Sequence, residues 1–375
     1  MRRERTPDYS DRLDVPARIK GRGAPSNPEG RFESRTSTRE DDGWEQATEP
    51  ESRPDTTVTE ERARTIISHN ESPDIHFTAS INAYRGCEHG CIYCYARPSH
   101  SYLNLSPGID FETKLFAKTN AAELLHRELA KPGYVCSPIN LGANTDPYQP
   151  IERRYRITRS IIEVLAEHRH PFTIVTKNAL VERDLDLLAP LARENLVHVF
   201  VSITSLDNRL ASTLEPRASA PHRRLKAVET LNAAGVPCGV MVAPIIPMVT
   251  DKYLEKILEG AARAGAPAAG YTIVRLPYEL KNLFREWLAL HVPERAEHVM
   301  SLIRQMRGGR DNDANFGSRM RGEGEFAELI RQRFQLACRK YGIERGRPVR
   351  LDTTRFVVPS APSPQGELFS SDGML

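Results

Sequence analysis

The sequence predicts an α/β fold: a partial (βα)6 TIM-like barrel with a C-terminal helical extension and polar tails. Three observations carry this. Six short apolar runs, rich in β-branched residues, recur between amphipathic segments, as expected of parallel strands buried on both faces. No convincing seventh unit follows the sixth, so the barrel is open. No Gly-x-Gly-x-x-Gly follows the first run, which argues against a doubly wound dinucleotide fold.

The predicted strands are 77–84, 137–144, 172–178, 197–204, 237–244 and 269–276. Helices are predicted near 120–130, 158–168, 183–193, 222–234 and 251–264. Thr158 is read as the N-cap of the second, and Gly235 and Gly265 as helix stops. Three more helices follow near 278–290, 294–307 and 322–341. The chain therefore divides into a polar arm (1–65), the barrel (66–290), a helical extension (291–345) and a flexible tail (346–375). The arm is too polar to fold alone. It is either disordered or an extended strand of chain anchored by Phe32 and Trp44.

Composition narrows the function. Lys+Arg 52 against Asp+Glu 49 leaves a net charge of +3 over 375 residues, so no whole-protein basic field marks a nucleic-acid-coating protein. No run approaches the roughly 20 apolar residues that span a bilayer. The basic start MRRERTPDYSDR has no apolar region after it, so it does not read as a secretory signal. The expected location is the cytoplasm, with no membrane partner. Six cysteines are too sparse for a disulfide scaffold, and three of them fall within eight residues.

Those three, Cys87, Cys91 and Cys94, form C-x3-C-x2-C after the first predicted strand. Three thiolates on one short loop can hold three irons of a [4Fe–4S] cube and leave the fourth open for chemistry. Gly86 and Gly90 allow a tight loop. The competing reading is a zinc site completed by His89 or His100. Cys136, Cys238 and Cys338 are isolated and read as buried small hydrophobes.

The C-x3-C-x-aromatic-C motif ahead of a (βα)6 pattern resembles the radical S-adenosylmethionine (SAM) superfamily. Within it, C-x-Y-C-Y-A-R, L-G-A-N-T-D, T-K and E-P-R resemble the spore photoproduct lyase and DNA repair photolyase-like group, over roughly 66–341. The resemblance implies a [4Fe–4S] cluster that cleaves S-adenosyl-L-methionine reductively to a 5′-deoxyadenosyl radical. It implies an electron donor such as flavodoxin or ferredoxin. It also implies a substrate class, a nucleic-acid base lesion. RNA, peptide or small-molecule substrates remain alternatives, and a non-catalytic zinc-stabilised nucleic-acid module is the alternative of another class.

Residue roles follow from the resemblance. Tyr93 would pack near the adenine, or simply in the core. Asn144, Thr145 and Asp146 would contact the cofactor's amino group, although N-T-D-P is also ordinary turn chemistry. Lys177 would bind the cofactor carboxylate or ribose, and Ser202 and Thr204 the ribose. Glu215 and Arg217 either pair with each other or bind cofactor or substrate. Ala243, ahead of Pro244, would let adenine approach, and Arg275 would face the substrate. In spore photoproduct lyase a cysteine after the second strand returns hydrogen to the thymine radical; here that position is Asn144. Cys136 lies near the opposite strand end, so Tyr93 and Tyr95, matching the lyase's two tyrosines, are the catalytic candidates.

Gln365, Leu368 and Phe369 resemble the peptide by which bacterial DNA-processing proteins dock into the sliding clamp, with Gly366 in place of the usual leucine. A Leu–Phe pair on a flexible tether suits a hydrophobic pocket. A fluorescent peptide of residues 360–375 should bind the clamp in a polarisation assay and lose binding when Leu368 and Phe369 become alanine. An unchanged polarisation removes this partner.

Overall fold

A computed structural model describes residues 19–32, 54–345 and 350–358. Its strands, in chain order, are β1 (Thr57–Glu61), β2 (Ile67–His69), β3 (Ala79–Ile81), β4 (Tyr84–Arg85), β5 (Lys114–Lys118), β6 (Ile139–Leu141), β7 (Phe172–Thr176), β8 (Val197–Ser202), β9 (Cys238–Ile245), β10 (Ala268–Ile273) and β11 (Glu344–Arg345). The main sheet runs β11-β10-β9-β8-β7-β6-β3-β2. β3 and β6 to β10 are the six predicted strands, parallel and in chain order. Two short strands flank them: β2 antiparallel to β3, and β11 parallel to β10. No pairing joins β2 to β11 among the described residues, so the sheet is an open arc.

Both faces of this arc are covered, which is why its strands read as apolar runs. Ile174, Val199, Val201 and Val240 are buried. Helices Ala121–Leu129, Ile157–Glu167, Leu185–Arg193, Pro221–Ala233 and Leu254–Arg263 pack outside it. Gly235 and Gly265 follow two of them with positive φ, where a side chain would be strained. Thr158 is not an N-cap. The helix Glu152–Tyr155 ends immediately before, and the Glu152 carboxylate accepts from the Thr158 and Arg159 amides at 2.9 and 3.3 Å. Thr158 Oγ1 instead donates to the Pro147 carbonyl.

A second, three-stranded sheet, β1-β5-β4, lies beside the barrel and was not foreseen. Its strands are half-exposed and rich in Lys, Glu and Thr, so no apolar run marks them. The described part of the N-terminal arm is extended and docked. Phe32 contributes little, being half-exposed against Tyr102; polar and backbone contacts hold the arm. Trp44 lies outside the described residues. The tail is not free from residue 346 onward: 350–358 packs on the barrel floor, where Val357 N–H donates to the His168 carbonyl and Phe356 meets Tyr134 and His170. The clamp-like residues Gln365, Leu368 and Phe369 lie outside the described residues.

The C-terminal helices close the β10 side. Arg333 of Gly324–Tyr341 pairs with Glu255 on Leu254–Arg263 at 2.7 Å, and Phe334 packs on Tyr271. No helix among the described residues is long and apolar enough to cross a membrane.

Near the strand N-termini, burial lowers the pKa of His170 and of His198 to about 4. The folded state holds both neutral, whereas the unfolded chain protonates them below about 6.5. Their stability is fully present above that pH and is lost as pH falls toward 4. Denaturant unfolding at pH 7 and pH 5 should show the loss, up to roughly 3 kcal/mol per histidine at full protonation of the unfolded chain. His198→Leu should remove its share of the acid sensitivity.

Candidate functional site: a three-cysteine loop at the barrel mouth

β4 turns into the loop bearing Cys87, Cys91 and Cys94. Backbone bonds shape it: Cys87 N–H to Phe111 O at 2.9 Å, Gly90 N–H to Cys87 O at 3.3 Å, and Cys94 N–H to Cys91 O at 3.2 Å. Gly90 has φ 66, and a Cβ there would lie 2.6 Å from Glu112 Oε2. The three cysteines line one wall of a cavity of about 570 Å³. The C-terminal ends of the parallel strands supply another wall: Asn144, Thr145 and Asp146 after β6, Lys177 after β7, Ser202 on β8, Ala243 on β9, and Arg275 after β10. This is where parallel α/β barrels place their chemistry, because loops from successive strands converge there.

The Asp146 carboxylate faces inward. It accepts from Thr176 Oγ1, the Lys177 amide and the Tyr148 amide at 2.7–2.9 Å, and pairs with His89 Nδ1 at 3.3 Å. Burial disfavours its charge, but His89 and these donors outweigh it and hold the pKa at about 2. Asp146 therefore ties the Cys loop to the ends of β6 and β7. Its lone pairs are taken, which leaves little capacity for a cofactor ammonium. Asn82 Oδ1 accepts from the Asn144 and Thr145 amides and fixes the same turn.

Three other expectations change. Glu215 and Arg217 do not pair with each other. Glu215 forms a buried ion pair with Arg224 and accepts from Tyr93 and Thr204; Arg217 pairs with Glu88 at 2.8 Å. Neither lines the cavity. Thr204 also leaves the cavity wall. β8 ends at Ser202, so strand alternation no longer aligns the two residues, and Thr204 Oγ1 instead lies 3.2 Å from Tyr93 Oη. Tyr95 behaves differently from Tyr93. The residue is 47% exposed at the mouth, with the Arg275 guanidinium over its ring. Its hydroxyl donates to the Ala143 carbonyl.

The spacing of the thiols bears on the two metal readings. One tetrahedral zinc at about 2.3 Å from each sulfur needs sulfurs about 3.8 Å apart. Among the described residues, the only His, Cys, Asp or Glu donors that lie in a group of three within 4.8 Å of one another are His126, Glu167 and His168, which do not line the cavity. At least one pair of the three thiol sulfurs therefore lies more than 4.8 Å apart, wider than a single tetrahedral zinc would hold them. His89 has both ring nitrogens engaged, by Asp146 and Asn178. His100 Nε2 bonds the Lys114 carbonyl and its Nδ1 has no hydrogen-bond partner among the described residues, but the residue does not line the cavity. Burial pushes the Cys87 and Cys91 thiols up, so a cationic metal centre is what would make them thiolates.

Comparison with known proteins agrees with this geometry. A sequence profile of the radical SAM superfamily matches residues 81–261. An uncharacterized protein of Mycobacterium tuberculosis is 40% identical over 231 residues, 61% of this chain and 68% of that one. The chain belongs to the radical SAM superfamily. It is thus a radical SAM enzyme, and the superfamily implies an iron–sulfur cluster and SAM as its cofactors. An uncharacterized protein of Methanocaldococcus jannaschii is 29% identical over 171 residues, 46% of this chain and 61% of that one. Structures of spore photoproduct lyase share the fold, with TM-score 0.53 at 16% identity over 77% of this chain and 81% of that one. One such structure is a variant with bound AdoMet and dinucleoside spore photoproduct, with TM-score 0.53 at 17% identity and the same coverage.

Several residues of this radical SAM site escaped sequence reasoning. Arg97, wholly buried, binds the loop carbonyls; Arg224 neutralises Glu215; Arg319 reaches the cavity from the helical extension, held by Asp74 at 2.5 Å. An arginine in a polar stretch reads as solvated, so only the R of Y-A-R, three residues past the last cysteine, offered a signal. Arg224→Ala should strand Glu215 as a buried charge and cost about 3–5 kcal/mol in denaturant unfolding. Arg217→Ala, whose guanidinium is partly exposed and whose buried partner Glu88 keeps the Thr56 hydroxyl, should cost less than Arg224→Ala.

Proposed function

We propose that Cys87, Cys91 and Cys94 hold a [4Fe–4S] cluster and that the enzyme acts on a damaged nucleic-acid base, as its likeness to spore photoproduct lyase suggests. The observation that carries the cluster is the spread of three thiols along one wall of a cavity at the strand C-termini. When bound, such a cluster supplies the electron that cleaves SAM to a 5′-deoxyadenosyl radical. Lys177, Ser202 and Ala243 face the space the cofactor would fill, and Lys177 Nζ, 5.9 Å from the Tyr93 ring centroid, would meet a carboxylate. The enclosing barrel keeps water from a reactive carbon centre.

The substrate reading draws on the mouth. Arg275 and Arg319 face the cavity and suit a phosphate, and the half-exposed Tyr95 ring offers a face for a base. With Asn144 in place of a cysteine, hydrogen return falls to a tyrosine. Tyr93 is buried with its hydroxyl tied to Glu215 and Thr204, whereas Tyr95, although it donates to the Ala143 carbonyl, stands exposed at the mouth where a substrate would enter, so Tyr95 is the better placed. A flavodoxin or ferredoxin would supply electrons, and the cytoplasm would be the place of work. Clamp docking through Gln365, Leu368 and Phe369 would bring the enzyme to DNA. One observation favours a small-molecule substrate instead. A second cavity of about 510 Å³ continues from the first, sharing Asn140, Val175, Met241 and Thr272, and Phe200, Tyr271 and Phe334 line it.

Anaerobically purified protein should be brown, absorb broadly near about 400 nm, and cleave SAM when reduced with dithionite. Cys94→Ala should abolish both. One zinc and no iron would end the cluster reading. Incubation with UV-irradiated DNA and a deuterated cofactor, followed by product mass spectrometry, tests the substrate. Cofactor cleavage with no change in the DNA would turn the search to small molecules.

A further inference from the structure

The segment 19–32 does not touch the cavity, yet it crosses the outer side of the three-cysteine loop at unusually short range. A Cβ on Gly23 would lie 1.8 Å from the Gly90 carbonyl oxygen. A Cβ on Gly108 would lie 2.2 Å from the Ser26 carbonyl oxygen. Backbone thus meets backbone at two crossings, and only glycine permits either one.

Hydrogen bonds lock both crossings. Glu112 accepts from Gly23 N–H at 3.0 Å and from Ala24 N–H at 2.8 Å. The same carboxylate pairs with Arg97 at 2.5 Å. Arg97 donates its remaining N–H groups to the carbonyls of Gly90, Cys91, Pro107 and Gly108 at 2.8–3.2 Å. All five guanidinium donors are therefore used, four of them on loop backbone. At the second crossing, Asn27 exchanges two bonds with Asp110, at 3.0 and 3.1 Å. Gly23, Ala24, Gly90, Arg97, Gly108, Asp110 and Glu112 are buried, so the bonds among them are poorly screened by water, whereas Asn27 is exposed and reaches the buried Asp110 from the surface.

We infer that residues 19–32 form a strap that holds the three-cysteine loop in its metal-binding shape, with Gly23 and Asn27 as positioning residues for iron retention. The inference rests on the cluster reading above. A three-ligand cluster is lost when its loop opens, because each sulfur must stay placed while the others hold. The strap restrains the backbone on both sides of Cys91 and so opposes that opening.

The test compares full-length wild type, Gly23→Val, Asn27→Ala and Leu231→Ala, each reconstituted anaerobically with iron and sulfide. Leu231 is buried in the helix Pro221–Ala233 and serves as a remote destabilising control. Iron content, the rate of iron release to a chelator, and Tm are measured. Gly23→Val and Asn27→Ala should release iron at least about tenfold faster than wild type, corresponding to about 1.4 kcal/mol of easier loop opening. Leu231→Ala should lower Tm with wild-type iron release. If Gly23→Val fails to fold, Asn27→Ala, which adds no atoms, decides. Wild-type release rates in Asn27→Ala, or equal acceleration in Leu231→Ala at matched Tm, would overturn the strap. A wild type that takes up no iron would overturn the cluster reading and the strap with it, an outcome separable because it appears before any variant is compared.

Discussion

The buried pair of Arg97 and Glu112 is the constraint on which this site depends. Neither residue has measurable exposure, and a lone charge so placed would be very costly. The pair is tolerated because every guanidinium donor meets an acceptor and both carboxylate oxygens accept amide N–H groups. Its value is less in net stability than in geometry. One planar fork fixes the direction of four carbonyls, those of Gly90 and Cys91 in the three-cysteine loop and those of Pro107 and Gly108 in the neighbouring segment, and so joins the two.

A similar arrangement recurs on the opposite wall. Glu215, neutralised by Arg224, accepts from Tyr93 and Thr204 and so joins the Cys loop to the end of β8. Asp146, paired with His89, joins the loop to β6 and β7. In each case an acidic residue that resembled a ligand for the cofactor is taken up by protein donors, Glu215 behind the wall and Asp146 on it. Besides Asp146, whose carboxylate is already saturated with donors, the strand-end residues on the cavity surface are neutral or cationic: Ser202, Ala243, Lys177 and Arg275. That division suits a site meant to receive a carboxylate, a phosphate and a flat ring.

The regular parts of the fold were legible because their signals are local. Six apolar runs gave six parallel strands, and amphipathic helices followed at the expected places. The strands that went unseen, β1, β2, β4, β5 and β11, are short or half-exposed, and nothing in their composition separates them from loop. Thr158 shows the limit of local reasoning. Threonine before an apolar run is a sound cap signal, but Glu152, six residues earlier, reaches the same amide.

The sequence alone determined the α/β class, the open barrel, the three-cysteine motif and the superfamily it resembles. These depend on periodicity and on spacing within a few residues, which folding does not alter. The tertiary structure decided which charges meet. Glu215 found Arg224 rather than Arg217, Asp146 found His89, and Glu112 found both Arg97 and a segment almost ninety residues away. Such partners are chosen by where burial leaves a charge without water. That depends on how distant segments pack, and no short stretch of sequence records it.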